Sequence, residues 1–479
     1  MKLDNLAPKR VFYYFEQLSA IPRGSGNMNG AAGYCESFAK SHNLKYIRDN
    51  ANNVIIFKPG SAGYENSAPI ILQGHLDMVC QKTEESVCDF LSDGLDLYID
   101  GGFIKAHGTT LGADNGIAVA MILAILESNE FAHPPIEAVF TVDEEIGMLG
   151  ALKLDMSIFK ARKMINLDSE EEGVVTVSCA GGSDFAVNMP ILREVKDGTE
   201  VTLAIKGLKG GHSGVEINSG RVNADLLAGR ILDCIRKDCE FDIISIDGGD
   251  KSNAIPNRCI VKLCVCDTDK FVLAAEKCLD DVKNEIAHRE KDFGPEITVG
   301  AGGEYSVFSR ELKDKLIAAL LCAPNGVMEM SAEIDGLVET SLNLGILKTD
   351  NEAVRLCFSL RSNKKTAQAF VQRRLEALFD TLGFEYEASG YYPPWEFKNN
   401  SHLQTIFGKV YQEHCGKAPQ IAAIHAGLEC GVFSSAIDGI DCISVGPEMY
   451  CVHTTDEKLS ISSTKRLFDI IIDVLKSLK

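Results

Sequence analysis

The 479-residue chain is short of cations, of long apolar runs and of closely spaced cysteines. Lysine and arginine number 48 against 68 aspartates and glutamates, for a net charge of −20. A surface this acidic repels phosphate backbones and anionic lipid, which argues against nucleic acid and membrane as partners. The most apolar stretch, Gly116–Leu126, is too short to span a bilayer. No apolar segment follows the basic residues of the first ten positions, so no secretory signal is expected there. None of the 16 cysteines forms a CxxC pair, and the chain is neither small nor loop-rich, which excludes a disulfide-stapled secreted frame. Reduced thiols and a cytoplasmic location are the expectation.

What is present is an ordinary globular composition, 45% hydrophobic and 24% charged, in a chain too long for one compact core. Val11, Phe12, Phe15 and Leu18 recur at helical spacing. Val54–Phe57, Pro69–Gln73, Ile136–Val142 and Lys163–Leu167 read as short buried strands, with helices over Gly116–Glu127 and after Gly147. That alternation predicts an α/β domain, a mainly parallel sheet with helices on both faces. Beyond Gly181-Gly182 the texture changes to longer alternating strands and separate amphipathic helices. Within that stretch, residues 258–286 and 352–380 repeat one strand–turn–helix rhythm, which suggests two related α+β halves. After about residue 386 the first texture returns, with a helix over His402–His414, a strand over Cys442–Val445, and a last helix that Ser462 or Ser463 can cap. The reading is a discontinuous catalytic domain, 1–182 and 386–479, with an inserted domain over 183–385.

Chemistry-bearing residues follow the predicted strands of the outer domain. His75 and Asp77 follow the first, Asp143-Glu144-Glu145 the second, Asp168 the third, and a loop ending in His453 the last. Asp114 stands in a glycine-rich stretch just before a helix. Open parallel sheets bind ligands at the carboxyl ends of their strands. Each residue alone has a bland reading: a chance His-x-Asp, a solvated Glu-Glu pair, an aspartate capping a helix. Together, several carboxylates at buried strand ends would repel one another unless cations sit among them. Imidazole and carboxylate suit zinc, with manganese as a competitor, and this set exceeds what one four-coordinate ion requires. Glu144 and Glu145 are neighbours, so one can ligate while the other faces a water. Asp77 can accept the ring N–H of His75 and set its tautomer.

The motifs GHLDMV, LGADNG, TVDEEIGMLGA, NLDSEEEG, GGHSG, HAGLECG and HTTDE resemble those of the two-zinc dipeptidase, aminoacylase and carboxypeptidase superfamily. NLDSEEEG, HAGLECG and PPWEF resemble its aminoacyl-histidine dipeptidase branch. The resemblance covers nearly the whole chain. It implies two Zn2+ per site, with Mn2+ or Co2+ as substitutes, and a small peptide as substrate. Asp114 becomes the bridging ligand, His75 and Asp168 complete one ion, and Glu145 and His453 the other. Glu144 becomes the general base and Asp77 the partner of His75. The inserted domain becomes a lid, in which His212 stabilises an oxyanion and Arg361 pairs with the peptide's free carboxylate; Asn253 and Gly427 are further substrate contacts. Relatives usually carry Ser-Pro-Asp-Glu after the late histidine, where this chain has Thr454-Thr455-Asp456-Glu457; that departure touches the loop and not the ligand. A deacylase of N-acyl amino acids and an inactive metal-binding scaffold are the competing expectations. A monomer and a homodimer, with His212 acting within one chain or across two, both fit the sequence.

Overall fold

The structure is a computed structural model that describes residues 2–479. It divides into two compact units, one made of Met1–Cys179, Tyr392–Ala423 and Gly427–Lys479, the other of Ala180–Tyr391 and Ile424–Ala426.

The first unit is built on an eight-stranded sheet. Its order is Lys45–Arg48, Val54–Lys58, Ile136–Thr141, Ile70–His75, Lys163–Asn166, Asp441–Ser444, Val174–Cys179, Gln420–Ile424. The four central strands run parallel. The flanks depart from the parallel expectation, with Lys45–Arg48, Val54–Lys58 and Val174–Cys179 paired antiparallel to their neighbours. Strands Ile70–His75 and Ile136–Thr141 are buried at every position, as a sheet covered on both faces requires. Helix Ala113–Glu127 is apolar on nearly every side because it lies between strand Ile70–His75 and the amphipathic helix Lys9–Ser19. Helix Ile461–Ser477 is capped by Ser460, not by Ser462 or Ser463: strand Lys458–Ser460 ends there, and the Ser460 hydroxyl accepts from the Ser463 N–H.

A small four-stranded sheet joins two distant parts of this unit. Its order is Met449–Tyr450, Lys458–Ser460, Phe103–Ala106, Leu97–Asp100. Leu459 pairs with Ile104, so the hairpin loop that carries His453 is tied to the strand that leads into the Asp114 loop.

The second unit carries a nine-stranded sheet, antiparallel from Glu296–Phe308 at one edge through to Gly181–Pro190. Helices Ala224–Ile235, Thr268–Ile286, Arg310–Cys322 and Lys365–Leu382 share one core with it. The two echoing stretches are strand Cys259–Val265 with its helix Thr268–Ile286, and strand Ala353–Ser362 with its helix Lys365–Leu382. One thiol expectation fails here. Cys234 and Cys278 are joined by a disulfide, because two packed helices bring their Cα atoms to 6.5 Å; the other cysteines are free.

Candidate metal centre

Parallel strands end at one edge, and their ends carry the candidate ligands. His75 is the last residue of its strand, Asp143-Glu144-Glu145 follow the strand ending at Thr141, and Asp168 follows the strand ending at Asn166. Two features bring Asp114 to the same place. Gly112 adopts φ +62° at the start of the helix, and Asn115 ties the loop to the sheet: its Oδ1 accepts from the His75 N–H at 3.2 Å and its Nδ2 donates to the Leu167 carbonyl at 2.8 Å. Gly74 makes room for this, since a Cβ there would lie 2.5 Å from Asn115 Oδ1.

The seven residues expected at the outer-domain site converge within the first unit. His75 Nε2 lies 3.1 Å from Asp114 Oδ1 and 3.2 Å from Asp168 Oδ1. His453 Nε2 lies 3.1 Å from Asp114 Oδ2 and 3.1 and 3.2 Å from the two oxygens of Glu145. Ligand atoms of His75, Asp114 and Asp168 fall within 4.8 Å of one another, as do those of Asp114, Glu145 and His453, and those of His75, Glu144 and Glu145. Oxygen and imidazole donors in this number and spacing fit divalent cations of the zinc and manganese type.

Asp77 does more than the sequence suggested. It is fully buried, and the His75 Nδ1 donates to its backbone carbonyl at 3.2 Å, with the carboxylate Oδ1 at 3.4 Å. Its carboxylate also accepts from the N–H groups of Glu144 (3.0 Å) and Glu145 (3.2 Å) and from Ser25 Oγ (2.8 Å). One side chain therefore aligns the histidine and the Glu-Glu turn together.

The electrostatics are those of acids crowded out of water. Burial opposes a charge on His75, but Asp168, Asp114 and Asp77 outweigh it and hold the imidazole protonated well above its ordinary range. His453 is raised to about 11 by its hydrogen bonds to Asp114 and Glu145. Burial, with Asp114 and Glu145 close by, pushes Asp168 up to about 7 despite His75. Glu144 is driven well above the carboxylate range by burial first and then by Asp168, Glu429 and Glu145. Protons on the two imidazoles here occupy positions that divalent ions would take over.

Sequence reasoning passed over Glu429. This residue opens helix Glu429–Ala436 and is completely buried, and its Oε2 accepts from Thr141 Oγ1 at 2.6 Å and from Gln73 Nε2. Gln73 Oε1 in turn accepts from Asn166 Nδ2 (2.6 Å), and Asn166 Oδ1 from Ser444 Oγ (2.5 Å). A polar row thus crosses the four parallel strands just below the ligands. Its signal was available in the sequence as one polar residue near the end of each apolar strand.

Three of the substrate-contact candidates lie in the second unit. His212 is half-buried in a two-residue strand paired with Ala254–Ile255, and its Nδ1 accepts from the N–H groups of Gly214 (3.1 Å) and Val215 (3.2 Å). That fixes the proton on Nε2, leaving a donor at the far side of the ring. Burial, then Arg361, lowers the His212 pKa. Arg361 is buried in strand Ala353–Ser362, opposite Ser341 and Gly182. Asn253 is exposed in a turn, and its carbonyl accepts from the Ser213 N–H at 2.9 Å. Gly427, in the first unit, is half-buried, and a Cβ there would lie 2.9 Å from Tyr392 and 3.0 Å from Met148. His425 is also buried in the second unit, where its Nε2 meets Ser341 Oγ at 2.7 Å and its Nδ1 meets Asn363 Oδ1 at 3.3 Å.

Residues 71–477 match the model of peptidase family M20/M25/M40. The chain belongs to this family. It is 37% identical over 481 residues to the cytosol non-specific dipeptidase of Escherichia coli (strain K12), covering 100% of this chain and 99% of that one. The crystal structure of aminoacylhistidine dipeptidase from Vibrio alginolyticus superimposes with a TM-score of 0.91 at 37% identity, over 100% of this chain and 98% of that one. Aminopeptidase PepT from Bacillus cereus shares the fold at a TM-score of 0.56 and 15% identity, over 99% of each chain. Among the described residues no helix is long and apolar enough to cross a membrane.

Proposed function

We propose that the protein is a dipeptidase, of Xaa-His or broad specificity, that works with two divalent ions: zinc, with manganese or cobalt as substitutes. The observation that carries this reading is Asp114, whose two oxygens face two different imidazoles at 3.1 Å each. A carboxylate so placed suits a ligand shared by two ions. His75 and Asp168 would hold one ion, Glu145 and His453 the other, and Asp114 both. When bound, the pair supplies Lewis acidity toward a water and toward the scissile carbonyl.

The chain's own groups do the rest. Glu144 accepts the proton of the attacking water and returns it to the leaving amine. Burial among acids raises its proton affinity, which makes its ionised form the stronger base. Asp77 keeps His75 and the Glu144 backbone in register. We assign His212, with its N–H on Nε2, the role of donor to the developing oxyanion. Arg361 is assigned the free carboxylate of the dipeptide, which its planar fork matches. Asn253 and Gly427 remain assigned to substrate contact. The names of the two relatives at 37% identity support the dipeptide over an N-acyl amino acid, and the E. coli name supports the cytoplasm.

The test is a dipeptide panel assayed after chelation and after return of zinc, manganese or cobalt. Hydrolysis of Xaa-His dipeptides restored by metal is expected. Faster turnover of the N-acetylated form than of the free dipeptide would make the enzyme a deacylase instead.

A further inference from the structure

The last acid of the HTTDE stretch does not end in solvent. Glu457 is 3% exposed, and its carboxylate accepts from four successive backbone N–H groups of the Asp114 loop. Oε2 takes Leu111 (2.7 Å) and Gly112 (3.0 Å); Oε1 takes Ala113 (2.8 Å) and Asp114 (3.5 Å). They belong to the turn that precedes the regular helix, since Asp114 and Asn115 have non-helical dihedrals, and a buried turn of this kind needs partners for its N–H groups. Gly112 within that turn has no room for a side chain: a Cβ would lie 2.5 Å from Arg23 Nη2. Arg23, itself buried, holds the opposite groups of the same region. Its Nη1 donates to the carbonyls of Leu76 (3.0 Å) and Asp77 (3.2 Å), and its Nη2 to the carbonyl of Gly112. A buried anion thus grips the N–H groups of the loop, and a buried cation grips the carbonyls that link it to the His75–Asp77 segment. Because Glu457 stands four residues after His453, one carboxylate joins the loops of Asp114 and His453.

We infer that Glu457, backed by Arg23, is a positioning residue that sets the spacing between the bridging aspartate and His453 and thereby the affinity for the metal pair. The inference rests on the two-ion reading. It goes beyond it in naming a clamp that touches neither ion nor substrate.

Chelator competition with zinc, monitored beside far-ultraviolet circular dichroism, tests it in Glu457→Gln, whose amide turns an N–H pair toward N–H donors. The expected result is a fold like the wild type's and a loss of zinc affinity of about 10- to 100-fold, the range for groups that orient metal ligands. Asp456→Asn removes the same charge from the exposed neighbouring position and should stay within about two-fold of wild type, on the weak influence of exposed charges. A folded Glu457→Gln that binds both ions within two-fold of wild type overturns the inference. An equal loss in Asp456→Asn overturns it too, since charge alone would then suffice. If Glu457→Gln does not fold, Arg23→Lys, which keeps the charge but not the fork, is read by the same criterion: a folded variant with wild-type affinity overturns the clamp. A wild-type protein that binds no zinc would instead refute the two-ion reading, which separates the two failures.

Discussion

Two buried histidines show how differently the two units use one residue type. His75 is 1% exposed and His425 is 6% exposed, so both lose nearly all hydration. Around His75 stand Asp77, Asp114 and Asp168, and the imidazole is held protonated far above its ordinary range. Around His425 stand the neutral Ser341 and Asn363 with the Arg361 cation, and burial together with that cation drives it down to about 3. Burial disfavours charge in both; the neighbours decide the outcome. The first unit has gathered anions for which cations are the natural counterpart. The second has placed a cation and neutral polar groups around its histidine.

The most severe way to break this contrast is at Glu144. Its replacement by glutamine should lower kcat by about 10²- to 10⁴-fold, the usual worth of a general base, while both metals stay bound. Equal loss of metal would make Glu144 a ligand and remove the acid–base distinction within the first unit. In the second unit, Arg361→Lys should lower kcat/KM for dipeptides by about 10- to 100-fold, chiefly through KM, as loss of a two-pronged charged hydrogen bond predicts. A change in metal content there would show that the two chemistries are not separate.

Proton counting sharpens the comparison further. The raised imidazoles of His75 and His453 bind protons that metal must displace, so zinc uptake at neutral pH should release protons and zinc affinity should fall as pH falls. Calorimetry in buffers of different ionisation enthalpy measures the release. The same release in His425→Gln would confirm that the second histidine takes no part.

The smallest effect is expected at Glu429, raised to about 8 chiefly by burial. A carboxyl with a raised folded pKa favours the fold below its unfolded pKa, near 4.5, and that contribution is lost as pH rises through about 8. In metal-free protein, Glu429→Gln should therefore flatten the decline of thermal stability across that window. An unchanged slope would mean that other groups carry it.

Reading strands first made most of the candidate site legible. His75, Glu144, Glu145 and Asp168 each follow a short apolar run, and the parallel arrangement of those runs places their ends together. Asp114 and His453 were legible as residue types in loops, but their meeting depends on the pairing of Leu459 with Ile104, between segments far apart in the chain. Glu457 was read only as part of a loop, since nothing local tells a buried acid from a solvated one. The disulfide between Cys234 and Cys278 was missed for a related reason: two helices facing each other across a core leave no spacing rule in the sequence.

By itself, then, the amino-acid order determined the periodicities, the strand ends and the kinds of donor atom available, because those follow from side-chain chemistry and the two- and 3.6-residue repeats. Tertiary structure alone decided which oxygens of Asp114 face which imidazole, that Asp77 serves four partners, and that a carboxylate 343 positions away holds the backbone N–H groups of the Asp114 loop. The reason is physical: hydrogen bonds and charge interactions act over a few ångströms of space, and separation along the chain does not measure that distance.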